Sequence, residues 1–137
     1  WSSPRPSISR SSGSSSEGRA VTILWVALGG AAGSATRYLV SAAINDRWDP
    51  WGTVAVNVVG SLALGFLLGR WGLEVSAPAR LGLTVGVLGG FTTFSTFAMD
   101  VVGLGESGQT TTAVAVAAIS VLLGIVAAVA GLALGRT

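Results

Sequence analysis

The sequence predicts an all-α membrane protein of four transmembrane helices, the third of them broken near its middle. Of the 137 residues only 10% are charged while 50% are hydrophobic, a composition too apolar for a soluble domain to clothe in a polar surface. Four uncharged stretches, residues 20–36, 51–69, 81–99 and 107–135, each reach about the 17 residues that a helix needs to cross a hydrocarbon core of about 30 Å. None is long enough for two crossings. Within the third stretch, Gly89-Gly90 is followed after one residue by Thr92-Thr93, a composition that weakens helix continuity in the middle of the membrane.

The expected spans run over about 20–41, 51–70, 80–101 and 110–135, forming a membrane domain of residues 20–137 surrounded by membrane lipid. Residues 1–19 are rich in serine, carry Pro4, Pro6, Arg5, Arg10 and Arg19, and have almost no apolar side chain. They read as a disordered tail. The chain opens on Trp1 rather than Met, so a missing or processed start is expected, and the first apolar stretch reads as a retained helix because three more follow it.

Charge placement predicts topology. Arg5, Arg10, Arg19, Arg70, Arg80 and Arg136 fall on one side, against Arg47, Arg37 and the acids Asp46, Asp49, Asp100 and Glu106. The positive-inside rule then makes both termini cytoplasmic in a plasma-membrane protein. Trp25 and Trp71 suit the inner interface and Trp48 and Trp51 the outer one, although tryptophans packed between helices would read the same way.

Small-xxx-small pairs recur at Gly29/Gly33, Gly65/Gly69, Gly82/Gly86/Gly90 and Gly131/Gly135, and such pairs let helix backbones approach closely. Four thin helices packed so tightly leave little room for an internal aqueous path. A dimer is therefore the expected working unit.

Polar chemistry concentrates in the third span. The run Gly89-Gly90-Phe91-Thr92-Thr93-Phe94-Ser95-Thr96-Phe97 puts glycines, hydroxyls and aromatics at membrane depth, where a helix break is tolerated only if it is buried in protein or lines a cavity. The carbonyls freed there would suit a desolvated cation. Phe94 and Phe97, three apart, share a helix face, while Ser95 and Thr96 point elsewhere. Asn57 in the second span must be hydrogen-bonded or face a polar path. Arg37, near the outer end of the first span, can snorkel to the interface or draw anions into a vestibule. Ser120 is the deepest polar residue of the fourth span. Each has a plainer reading: phenylalanines as packing, hydroxyls bonded to their own backbone, Asn57 as interhelical glue.

Taken together, GGxxGxxxRY at 29–38, Asn57 followed by Gly60-Ser61, and GGFTTFSTF at 89–97 resemble the CrcB/Fluc family of fluoride channels, with the likeness extending over about residues 23–136. The resemblance implies a dual-topology dimer of two antiparallel four-helix subunits, two narrow fluoride pathways and a structural sodium ion at the dimer centre. Carried over by position, it implies that backbone carbonyls of Gly89 and Thr92 bind sodium. Phe94, Phe97 and Asn57 would line the fluoride pathway, Ser95, Thr96 and Ser120 would be polar rungs, and Arg37 would stand at the vestibule. Family members often carry a second hydroxyl one turn past the fourth-span serine; here that position is Gly124.

Other classes fit less well. With no cysteine and no histidine, disulfides, thiolate or imidazole metal sites and histidine proton transfer are excluded. No nucleophile, base and orienting group can be assembled for an enzyme, and a net charge of +2 is too small and scattered for nucleic acid. A small four-helix dual-topology transporter would need a membrane-embedded carboxylate, and Asp46, Asp49, Glu74, Asp100 and Glu106 are expected in loops or at span ends. A non-conducting assembly subunit would not need the polar third span. The arginine bias further favours one orientation per chain, which suggests pairing with an oppositely oriented homologue rather than a homodimer.

Overall fold

The computed structural model describes residues 12–72 and 74–137, and side chains from Ser15 onward. It is all-helical among these residues: α1 (Ser12–Trp48), α2 (Trp51–Trp71), a segmented third span, and α6 (Thr110–Gly135). The third span is α3 (Pro78–Leu81), wider π-helical turns over Gly82–Leu88, α4 (Gly89–Phe91) and α5 (Phe94–Glu106). Four helices, counting the third span as one, are long and apolar enough to cross a membrane.

The boundaries differ from expectation where polar residues prolong helices beyond the hydrocarbon. α1 has 37 residues, about 55 Å at 1.5 Å per residue, against a core of about 30 Å. Residues 12–19, expected in the disordered tail, are its first turns; residues 1–11 lie outside the described residues. The third span runs over Pro78–Glu106 rather than 80–101. Asp100, expected at a span end, therefore stands inside α5, and Asp46 is helical within α1.

Local chemistry explains the ends. Pro50 cannot donate a backbone hydrogen bond and separates α1 from α2, and the corner is fastened by the Gly52 N–H donating to Asn45 Oδ1 at 2.6 Å. Pro78 opens α3 at its first helical position, where the missing N–H costs nothing. The turn after α5 passes through Gly108 at φ +79°, a left-handed conformation that side chains resist.

The glycine pairs decide which helices touch. α1 packs on the lower half of the third span: a Cβ on Gly33 would strike the Val87 carbonyl and the Phe91 nitrogen, and one on Gly29 the Gly82 carbonyl. α2 packs on α6 in the same manner, with Gly131 against the Leu62 carbonyl and Gly65 against that of Ala128. Gly69 then meets Leu132 and Gly135 meets Phe66, so both contacts advance in the same direction along their two helices and the bundle consists of two parallel pairs of non-consecutive helices. Val56 and Val116 are fully enclosed between elements, whereas Leu24, Leu28, Leu122 and Val126 are largely exposed. An apolar exterior of this kind belongs in lipid.

Because backbone meets backbone, Gly33→Val is expected to prevent α1 from seating. In mild detergent the variant should be lost from the folded peak in gel filtration, while a wild-type elution profile would contradict the close-approach account.

Candidate functional site

The break in the third span lies at Thr92 and Thr93, just beyond the paired glycines. Thr92 (φ −84°, ψ 156°) and Thr93 (φ −152°, ψ 121°) are extended, while Gly89, Gly90 and Phe91 stay helical. Gly90 serves contact instead: a Cβ there would press on the Gly30 backbone of α1.

Asn57 holds the extended residue. Its Nδ2 donates to the Thr93 carbonyl at 2.9 Å, and the Thr93 N–H donates to its Oδ1 at 2.7 Å. One amide side chain thus replaces two helical hydrogen bonds, which satisfies backbone groups that would be costly to leave unpaired in the membrane. Gly60, where a Cβ would strike the Thr92 methyl, lets Thr92 and Phe91 rest against α2.

Arg37 does not reach out to the interface. Its Nε donates to the Gly90 carbonyl at 3.1 Å and a terminal nitrogen lies 3.5 Å from Thr96 Oγ1, with Ser34 Oγ also donating to Gly90 at 3.4 Å. A cation thereby faces the carbonyl end of the lower half-helix, where the helix dipole favours positive charge. On the other side of the break Thr93 Oγ1 caps α5, accepting from the Thr96 N–H at 3.2 Å. Thr93 also donates to Thr96 Oγ1 at 3.1 Å and lies 3.3 Å from Ser95 Oγ. Ser95 and Thr96 therefore gather with Arg37 and Thr93 at the α5 cap.

Two cavities open beside the break. One, of about 300 Å³, is lined by Asn57, Ser61, Gly89, Thr92, Thr93 and Phe94 among others. The second, of about 380 Å³, lies between α5, α2 and α6 and brings together Asn57, Ser61, Phe94, Phe97, Ser120 and Gly124. No charged side chain lines either one. Phe94 borders both, its ring 78% exposed and 5.6 Å from that of Phe97 at 58°, a tilted edge-to-face arrangement. Ser120 is 7% exposed, and its Oγ is buried with no hydrogen-bond partner among the described residues.

Four of the expected pathway residues, Asn57, Phe94, Phe97 and Ser120, thus converge on one cleft, while Ser95 and Thr96 line neither of these cavities. Asp100, one turn past Phe97, has a buried Oδ2 that is also unpaired among the described residues, and it too lines neither cavity. The carbonyls of Gly89 and Thr92 receive none of the bonds made at the break, which go to Leu88, Gly90 and Thr93. Both residues line the first cavity. Carbonyls that accept none of the side-chain or turn bonds among the described residues, on residues bordering a cavity without charged side chains, are compatible with a hard cation, which takes oxygen ligands.

Four spans around a helix break and an uncharged cleft of hydroxyl, amide and aromatic groups define a small polytopic membrane protein. The chain belongs to the CrcB family: the model described as CrcB-like protein, Camphor Resistance (CrcB) matches residues 24–132. A relative from Bacteroides fragilis, named fluoride-specific ion channel FluC, is 45% identical over 121 residues, spanning 83% of this chain and 95% of that protein. One of the same name from Agrobacterium fabrum is 47% identical over 121 residues, 85% of this chain and 97% of the relative. A third, from Hyphomonas neptunium, is 47% identical over 119 residues, 82% of this chain and 94% of the relative.

Proposed function

We propose that the chain is a subunit of a fluoride-selective channel that carries fluoride out across the cell membrane and so limits its toxicity in the cytoplasm. The uncharged cleft in which Asn57, Phe94, Phe97 and Ser120 meet carries this reading, in a chain whose relatives are named as fluoride channels. Fluoride is small and strongly hydrated. A path for it must offer hydrogen-bond donors in place of water without a fixed charge that would trap it.

The cleft supplies such donors. Asn57 spends one amide hydrogen on Thr93 and keeps the second for an anion. Ser120 has a hydroxyl with no other engagement among the described residues. The positive edges of Phe94 and Phe97 complement these. Arg37, with Ser95 and Thr96 at the α5 cap, would form the cationic approach to this path.

Gly89 and Thr92 would hold a sodium ion through their carbonyls. The ion would act as a fixed structural charge pinning the break. Two carbonyls make only part of a coordination shell, and a second, antiparallel copy or homologue would supply a matching pair. Both termini would be cytoplasmic in the chain, with the arginine bias favouring an oppositely oriented homologue as partner. A proton-coupled transporter is the less economical reading, since Asp100 stands outside the cleft.

The test is fluoride release from liposomes containing the purified chain, followed with a fluoride-selective electrode and compared with chloride release. Fluoride should leave rapidly and chloride at the rate of protein-free vesicles. Equal release of both ions, or none even beside an oppositely oriented homologue, would contradict the proposal.

A further inference from the structure

Some of the hydroxyls in these spans return to their own backbone, while others, Ser120 among them, do not. Thr22, Thr36, Thr84 and Thr92 each donate to the carbonyl four residues back, at 2.9 to 3.0 Å, the usual fate of such groups in a membrane helix. Ser61 does not. Its hydroxyl takes part in none of the hydrogen bonds among the described residues, although it stands half-buried inside α2, where an unused hydroxyl is costly.

Its position is also particular. A third cavity, of about 260 Å³, follows the crease between α2 and α6 from Ser61 and Ala128 down to Leu68 and Leu132. Ser61 alone borders this cavity, the one at the break and the one holding the phenylalanines. It is four residues after Asn57 and so lies on the same face of α2, one turn below the amide. Beyond it α2 has no further hydroxyl before Arg70, and α6 has none between Ser120 and Thr137.

Across the crease stands Gly124, where a Cβ would come to 3.8 Å from Ser61 Oγ. The absence of a side chain at Gly124 leaves the Ser61 hydroxyl uncovered by α6. A hydroxyl carried by residue 124 would face the Ser61 position from the opposite wall of the crease.

We infer that Ser61 is a fluoride-binding residue, its hydroxyl donating to the ion where the cleft narrows into the α2–α6 crease. It takes the ion over from Asn57 and Ser120 as the donor one turn further along α2. This inference rests on the channel reading above and adds a site to it. Asn57, already committed to the Thr93 backbone, cannot follow the ion downward. The next donor must come from another residue, and Ser61 is the one the cavities share.

The experiment compares initial fluoride release from liposomes for the wild-type chain, Ser61→Ala, Gly124→Ser and the double variant Ser61→Ala/Gly124→Ser. Loss of one hydrogen bond to an anion corresponds to a drop of about tenfold or more in Ser61→Ala. The double variant should recover to within about threefold of wild type, because the hydroxyl returns from the opposite wall. Recovery by a group on another helix separates a role toward the ion from one in folding. Wild-type release by Ser61→Ala, or a loss that Gly124→Ser fails to restore, overturns the inference and leaves the channel intact. A wild-type chain that releases no fluoride overturns both.

Discussion

Asn57→Leu should silence fluoride release, by about a hundredfold or more, and should also destabilise the subunit. Leucine is close to asparagine in size and at ease in lipid, so the loss follows from the amide alone. Without it the Thr93 N–H and carbonyl, held at 2.7 and 2.9 Å in the wild-type chain, have no partner at membrane depth. Each unpaired group costs about 1 to 3 kcal/mol, enough to unseat the extended conformation at the break. The donor that faces the cleft disappears with it. Asn57→Asp divides the two effects: it still accepts from Thr93, but it lacks the amide donor and introduces a charge into an uncharged cleft. Release should remain abolished there, and the unfolding midpoint in detergent should fall less than in the leucine variant. Normal release by either variant would show that the clasp is dispensable to conduction.

Phe94→Ile is expected to remove flux with little effect on the fold of the subunit. The ring is 78% exposed, so its packing within the chain is slight, and a substitution at such a place usually changes stability by less than about 0.5 kcal/mol. Isoleucine retains apolar bulk and loses the positive ring edge that can face an anion. Release should drop by about a hundredfold, about 2.8 kcal/mol at 1.4 kcal/mol per decade, while elution and thermal midpoint stay at wild-type values. If flux persisted, the second cavity would not be the route.

Much of this architecture is legible in the residues, for physical reasons. Bilayer thickness makes uncharged stretches of suitable length visible at once, and the small-residue pairs announce close contact because nothing larger fits between two backbones. Which helix each pair meets is not legible: Gly33 finds Val87 and Gly131 finds Leu62, and only the three-dimensional arrangement decides that. The break was expected from the paired glycines and the threonines after them. Its exact place, at Thr92 and Thr93, depends on Asn57 reaching over from α2, a contact 36 residues away in sequence. The partner of Arg37 is hidden for the same reason, because the carbonyl it meets belongs to Gly90, far away in sequence. Ser61 passed as part of a motif, since a hydroxyl that declines its own backbone carbonyl looks like any other serine in the sequence. Asp100 reads as a span-end residue because charge usually marks a boundary, whereas α5 continues to Glu106.

On the proposed reading, fluoride crosses as an ion by way of the cleft beside the break. The most direct measurement is the current across a planar bilayer containing the purified protein, with fluoride at unequal concentrations on the two sides and chloride present on both. The account predicts stepwise currents that reverse at the fluoride equilibrium potential and are insensitive to the chloride gradient. Reversal that follows chloride or pH instead, or a silent bilayer under a fluoride gradient when the chain is paired with an oppositely oriented homologue, would contradict it.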